Sequence, residues 1–331
     1  MFQFLWQGQR ELINRTMMCM KEKEGGLGIP DIEERITSIR TKALKHITDK
    51  NNKSLWITWP RYYIGTSLST IKTDWAFLRN NNKPRADPNS VPKWYKEMAK
   101  IAKQHKATFE TWNQKQINSK NIYDILRNRQ IPKTEGWKRV YKEKVIFKDT
   151  WQDMWKTPNT NAEKEIMWKA THRVLVTKAL LTKWKIKNLN AKCPFCNGTE
   201  DIDHALIQCN RLQHLWKAVQ TLLNKLQDRT FPINLTEIVL MVSSSTNEVT
   251  RLLTRYIITA TIAVIWQTRN RKMYYNEQTN TNLYEIQRKK MKERITMDLI
   301  NKKEDKIKHF WTHKTILCEY KEKEKELIWF I

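Results

Sequence analysis

Residues 193–209 read Cys-Pro-Phe-Cys-Asn-Gly-Thr-Glu-Asp-Ile-Asp-His-Ala-Leu-Ile-Gln-Cys, and the reading of the whole chain turns on them. The spacing is C-x2-C-x7-H-x4-C. Two thiols three positions apart on a tight turn can grip one metal ion, and an imidazole and a third thiol a short loop later can close a tetrahedron around it. Three of the five cysteines of the chain fall in this window. The expected site is therefore a structural Zn2+ held by Cys193, Cys196, His204 and Cys209. Two alternatives stand beside it: disulfide bonding, and burial of the thiols as small apolar residues. Disulfides suit a secreted chain, but Met1-Phe2-Gln3-Phe4-Leu5-Trp6 runs straight into Gln7–Arg10 without a long apolar core or a small-residue cleavage site. His214 competes with Cys209 for the fourth position, and the thiol is preferred. Four protein ligands leave no open position for a water, so the metal is expected to hold a fold rather than to catalyse.

Charge is the second signal. Lys and Arg number 61 against 34 Asp and Glu, a formal net charge of +27 over 331 residues. A surface so far from neutrality repels itself unless a polyanion is near, and nucleic acid is the commonest such partner. The surplus is spread along the chain, with blocks from Lys93 to Thr150 and from Arg269 to Ile331. The longest nearly apolar stretch, Tyr256–Trp266, is broken by threonines and falls short of the ~20 residues a bilayer requires, so it reads as a buried helix. Most of the 15 tryptophans follow helical apolar positions, and a few exposed ones are candidates for stacking on unpaired bases.

Helical periodicity dominates and strand-like alternation is scarce, so the expected fold is mainly α, multi-helical, with a small zinc-stabilised loop. Asp31 is a candidate N-cap, followed by Ile32, Ile36, Ile39, Ala43, Leu44 and Ile47 at a 3.6-residue repeat, with a break at Asn51-Asn52-Lys53. Residues 80–92 read as a linker or long loop. Trp94, Met98 and Ile101 start a further helix, and Ser119 is the expected cap of one containing Ile122, Ile125 and Leu126. After a break at Lys156–Asn159, two helices near Glu163–Thr171 and Thr177–Trp184 lead to the cysteines. Leu212, Leu215, Trp216, Val219, Leu222, Leu223 and Leu226 form the cleanest apolar stripe, ended by Phe231-Pro232. A strongly apolar helix is expected from about Val249 to Tyr275. The last 50 residues read as one or two long charged helices, with KEKEKEL as a solvated face. No glycine-rich phosphate loop, no His-Glu-x-x-His and no aspartate pair on a strand hairpin is found. Asp201 and Asp203 lie inside the metal loop, to polarise a ligand His or cap the turn that follows.

These residues resemble the C-terminal part of the reverse transcriptase of LINE-type (non-LTR) retrotransposons. Phe4-Leu5-Trp6 and then Lys23–Asp31 (KEGGLGIPD) are similar to the stretch closing that family's polymerase thumb. Trp151, Trp155, Trp168, His172 and Trp184 resemble the lead-in to its zinc-binding segment, whose C-C-H-C ligands the four candidate ligands match. Ile265–Asn270 (IWQTRN) resembles the IWxxRN run that follows. The resemblance implies a thumb remnant over 1–50, a basic helical linker over 51–160, the zinc-binding segment over 161–230 and a helical region over 231–331.

In the family the palm, with its catalytic aspartates, and an endonuclease precede this region, so the expectation is a truncated copy without enzymatic activity. Nucleic acid, RNA or DNA, is the expected partner, with a reverse transcriptase polypeptide as a further one, and neither a membrane nor a small-molecule substrate. The expected location is intracellular, in the nucleus or a cytoplasmic ribonucleoprotein. Lys185, Lys187, Lys192, Arg211 and Lys217 are the candidates for neutralising phosphates, each lowering the salt exponent of binding by ~0.7 to 0.9. Trp184 and Phe195 are the candidates for base stacking. The rival readings are a protein-interaction module docking on a separate polymerase, and a retroelement fragment without a role.

Overall fold

The computed structural model describes residues 11–49, 51–67, 87, 89–104, 118–128, 141, 147–186, 189–241, 246–277, 282–301, 305–321 and 326–331. The helices are α1 (Arg15–Cys19), α2 (Ile32–Thr48), α3 (Thr58–Ser67), α4 (Lys93–Gln104), α5 (Ser119–Asn128), α6 (Phe147–Lys156), α7 (Asn161–Thr171), α8 (Lys178–Lys183), α9 (Gln213–Gln227), α10 (Leu235–Leu240), α11 (Glu248–Tyr275), α12 (Leu283–Asn301) and α13 (Asp305–Trp311). The fold is mainly α, as the periodicity requires. Among the described residues the only sheet is a hairpin of β1 (Cys318–Lys321) and β2 (Glu326–Trp329).

The chain forms two compact units. One holds residues 15–20 and 28–133, the other residues 1–14, 21–27 and 134–331. These limits differ from the four segments read from the sequence. The break at Lys156–Asn159 is only the turn between α6 and α7, which belong to one unit.

In the first unit, α2 packs on α4 and α5, and α3 on α4. The core joins Leu44, Ile47, Ile57, Ile64, Met98, Ala99, Ile122 and Leu126. Asp31 caps α2 as expected, accepting the Glu34 N–H at 3.1 Å. The buried face of α2 is rotated from the expected one. Ile32, Ile36 and Ile39 are exposed, while Ser38, Thr41 and Thr48 are buried with Leu44 and Ile47. The three hydroxyls donate to the carbonyls of Arg35, Thr37 and Leu44 in their own helix, so they enter the core with their polar atoms satisfied. The cap of α5 is Asn118, whose side chain accepts the Asn121 N–H at 2.8 Å, rather than Ser119. Most of the predicted linker over 80–92 lies outside the described residues.

The second unit is built around α11, which packs against α6, α7, α9, α12 and α13. By length and composition α11 could cross a membrane, but 83% of its most apolar window is buried inside the fold. The α9 stripe from Leu215 to Leu226 is buried as predicted. The Gly-rich stretch has a specific task here. Gly25 adopts φ 92°, and its carbonyl accepts hydrogen bonds from Trp168 Nε1 at 2.8 Å and His172 Nε2 at 2.9 Å. A Cβ at Gly25 would stand 2.8 Å from Trp151 Cε2, so the backbone passes where only glycine fits. The C-terminus departs from expectation. After α12 and α13 the chain turns into the antiparallel hairpin, with Cys318 opposite Trp329 and Lys321 opposite Glu326. Of the KEKEKEL run, expected on a helix, Lys321 ends the first strand and Glu326 and Leu327 begin the second, while residues 322–325 lie outside the described residues.

Candidate metal centre

The Cys-Pro-Phe-Cys segment is a knuckle closed by backbone pairing. Cys193 N–H donates to the Gly198 carbonyl at 2.6 Å, and Glu200 N–H donates to Ala191 at 2.7 Å. Lys192 and Thr199 form the bridge between the two arms, and Asn197 takes the left-handed conformation (φ 61°) that reverses the chain. The second half follows directly. Asp201 accepts the His204 N–H at 2.8 Å and so caps the turn, one of the two tasks proposed for it. The turn from His204 to Gln208 is widened to a π-turn, with Cys209 N–H bonded to the His204 carbonyl at 3.1 Å. Two ligands five residues apart would sit far round an ordinary α-turn; the wider turn brings both to one face.

Four ligand atoms converge. They belong to Cys193, Cys196, His204 and Cys209 and lie within 4.8 Å of one another. Cys193 Sγ and Cys209 Sγ are 3.9 Å apart, and Cys196 Sγ and Cys209 Sγ 3.7 Å. A tetrahedron with 2.3 Å metal–sulfur bonds has sulfur–sulfur edges of about 3.8 Å. Cys196 Sγ and His204 Nε2 stand 3.1 Å apart, a hydrogen-bond distance about half an ångström inside the corresponding metal-site edge. The sulfur separations are far beyond a disulfide bond, and all five cysteines are free. Burial as small apolar residues does not account for an imidazole nitrogen aimed into the same cluster. The donor set fits a metal ion. His214 is exposed and outside the cluster.

The surroundings favour thiolate. The Cys193 thiol is held well below its ordinary pKa, first by the hydrogen bond from Cys209 and then by the backbone N–H groups of Phe195 and Cys196. Cys209 is correspondingly raised, because it keeps the proton that Cys193 gives up. Gly198 closes the cradle, since a Cβ there would come within 3.0 Å of His204 Cε1 and 3.7 Å of Cys196 Sγ.

The loop is anchored by a residue that pattern reading passed over. Glu200 is fully buried and accepts from Arg269 of α11 twice, Nε to Oε1 at 3.0 Å and Nη2 to Oε2 at 2.6 Å. It also accepts the Lys178 N–H at 2.9 Å, at the start of α8. Arg269 lies 4.8 Å from the Trp266 ring centroid and donates to Asn270 Oδ1. Three residues of the Trp266–Asn270 run thus serve one buried ion pair with the loop. Arg173 makes a second, more exposed tie to Asp203 at 2.5 Å. The signal for Glu200 was present, a carboxylate inside the loop and an arginine in the later run, but nothing in the sequence links positions so far apart.

The candidate nucleic-acid contacts sort by exposure. Lys185, Lys192 and Lys217 are exposed; Lys187 lies outside the described residues, and Trp184 is half-buried. Arg211 and Phe195 engage each other instead of standing open. The guanidinium carbon lies 3.4 Å from the ring centroid, and Nε and Nη1 are buried without a hydrogen-bond partner. Burial lowers the Arg211 pKa, against the opposing pull of the Cys209 and Cys193 side chains. Arg211 is thereby a cation stacked beside the sulfurs.

Residues 117–216, which include all four ligands, match the family described as zinc-binding in reverse transcriptase. No curated protein matches the chain. This stretch is therefore similar to a reverse-transcriptase zinc-binding region.

Proposed function

We propose that the chain is the zinc-stabilised, nucleic-acid-binding C-terminal portion of a LINE-type reverse transcriptase. In this reading it has no polymerase chemistry of its own and helps hold template RNA or target DNA. One observation carries the proposal: three sulfurs and an imidazole within 4.8 Å of one another, inside the stretch that matches the reverse-transcriptase zinc-binding family. Zinc bound there supplies a closed four-ligand cross-link with no open position. Cys193, Cys196, His204 and Cys209 hold it, Gly198 leaves room for the imidazole, and Glu200 with Arg269 fixes the loop to α11. The net charge of +27 supports a polyanionic partner, and Lys185, Lys192 and Lys217 are the exposed cations nearest in sequence to the ligands. A reverse transcriptase polypeptide is the protein partner this reading assigns, in the nucleus or in a cytoplasmic ribonucleoprotein.

The test is a salt titration of the purified, zinc-loaded chain against a generic RNA and a generic DNA, with metal content measured on the same sample. The expected result is one zinc per chain and a steep linear fall of log affinity with log salt, each neutralised phosphate contributing ~0.7 to 0.9 to the slope. Affinity that is absent at low salt, or indifferent to salt, would overturn the proposal, as would primer extension by the isolated chain.

A further inference from the structure

In the unit formed by residues 15–20 and 28–133, a stack of aromatic rings leads out of the core. Tyr95 of α4 packs against the core cluster. Tyr63 of α3 stacks on it with centroids 5.2 Å apart and planes 18° from parallel. Trp59 continues the series at 6.3 Å and 27° from Tyr63. Tyr62 braces both from the edge, 6.3 Å from Trp59 and 5.4 Å from Tyr63. Trp59, the outermost ring, is 65% exposed, and Leu55 and Trp56 beside it in sequence are 90% and 58% exposed. Large apolar side chains left in water next to one another mark a contact surface.

Charge identifies the occupant. The two helices carrying the rings hold Arg61, Lys93, Lys96, Lys100 and Lys103 and a single carboxylate, Glu97. That carboxylate is paired with Arg40 and with Lys93. Arg61 donates to the Ile47, Asp49 and Asn52 carbonyls at the end of α2, while Lys93, Lys96 and Lys100 are exposed. A near-parallel stack ending in an open indole, on helices whose lone carboxylate is already paired, suits a flat ring on an anionic chain. We propose that Trp59 is the platform on which an unpaired base of single-stranded nucleic acid stacks, continuing the Tyr95–Tyr63–Trp59 series. The exposed lysines of α4 supply the cationic surface for the backbone. The proposal rests on the nucleic-acid reading above and gives it a base-stacking element in the unit that does not contain the metal ligands. Every base has a π-face, so the platform tolerates any sequence.

The test uses the full zinc-loaded chain, with fluorescence anisotropy on oligo-dT and on an abasic sugar–phosphate oligomer of equal length. Trp59→Ala is expected to weaken oligo-dT binding about 10-fold. It should leave abasic binding and the salt slope unchanged, and Trp59→Phe should restore most of the loss. Circular dichroism of Trp59→Ala should match the wild type, because the side chain is largely in solvent. Oligo-dT binding by Trp59→Ala equal to wild type overturns the proposal. So does an equal loss for both oligomers, which would make the effect electrostatic or structural. A variant that binds both oligomers normally but loses affinity for polyglutamate assigns the surface to an acidic protein and also overturns it. A wild-type chain that binds neither oligomer fails the wider nucleic-acid reading, a distinguishable result.

Discussion

Replacing Arg269 by Met should cut the metal loop loose from the longest helix of the fold. The Arg269 and Glu200 side chains are 3% and 1% exposed, so neither charge is relieved by water when its partner goes. Arg269→Met leaves the carboxylate with the Lys178 N–H at 2.9 Å as its remaining described partner. Glu200→Gln leaves a guanidinium against Trp266 and Asn270. Removing one member of a buried pair costs about 3–5 kcal/mol, because the other stays desolvated and unpaired. Replacing both by Glu200→Leu with Arg269→Met removes the orphan charge. The double variant then loses the carboxylate's bond to the Lys178 N–H, about 1 kcal/mol, and the guanidinium's contacts with Trp266 and Asn270, plus any packing mismatch. It should therefore be more stable than either single variant, a departure from additivity of several kcal/mol.

The measurement has to be local, because the chain forms two units and global unfolding need not be two-state. Release of zinc to a chromophoric chelator as a function of urea reports the loop alone. A loss of about 3 kcal/mol raises the opening constant roughly 150-fold, easily read as a shift of the release curve. The reasoning fails if Arg269→Met releases zinc like the wild type. It fails equally if the double variant is worse than both singles, which would mean the two residues contribute separately.

Other outcomes follow from particular atoms. His172 is buried and its pKa is lowered from 6.5 to about 4, chiefly by desolvation, so the fold holds it neutral. Its contribution is fully present above pH 6.5 and is lost as pH falls toward 4, about 3 kcal/mol in total, and His172→Gln should flatten that part of the stability–pH curve relative to wild type. Gly25→Ala places a Cβ 2.8 Å from Trp151 Cε2 at φ 92°, and should cost about 2–4 kcal/mol by urea unfolding followed through tryptophan fluorescence. Gly198→Ala presses on the His204 ring at 3.0 Å and should weaken zinc affinity about 10-fold in a chelator competition, without abolishing binding. Cys193→Ser with Cys196→Ser should remove the zinc and the helical signal of the α7–α9 region; unchanged circular dichroism would show that the metal is not a structural element.

Much of this was legible because its signals are local. The ligand spacing, the Asp31 cap and the α9 stripe all depend on residues within a turn or two of one another, and each is found where the pattern placed it. The misses have separate causes. Periodicity alone put Ile32, Ile36 and Ile39 on the buried face of α2, but which face is covered is decided by α4 and α5, distant in sequence. Asn118 outcompeted Ser119 as a cap by one position, a margin within the ordinary uncertainty of helix ends. In the terminal hairpin the alternating Lys and Glu of KEKEKEL carry no apolar period, helical or extended, and the strand state of Cys318–Lys321 comes from its pairing with Glu326–Trp329.

The Glu200–Arg269 pair shows why a metal loop of this size needs a second fastening. The knuckle has almost no hydrophobic interior: Phe195 is half-buried under Arg211, and of the segment's apolar residues Ile202, Ala205 and Leu206 pack inward. Metal ligation fixes the loop internally but does not orient it on the helices, since a tetrahedral ion bonded only to the loop's own residues makes no bond to anything else. Orientation must come from groups that reach across. Glu200 does so from the middle of the loop to α8 and α11, and Trp216 Nε1 does so from α9 to the Leu206 carbonyl at 2.9 Å. A loop held rigid by its ion and aimed by buried polar bonds can present Lys192 and its neighbours to a polyanion in one fixed geometry. Loosening the aim without removing the metal should then lower affinity for nucleic acid while zinc stoichiometry stays at one per chain.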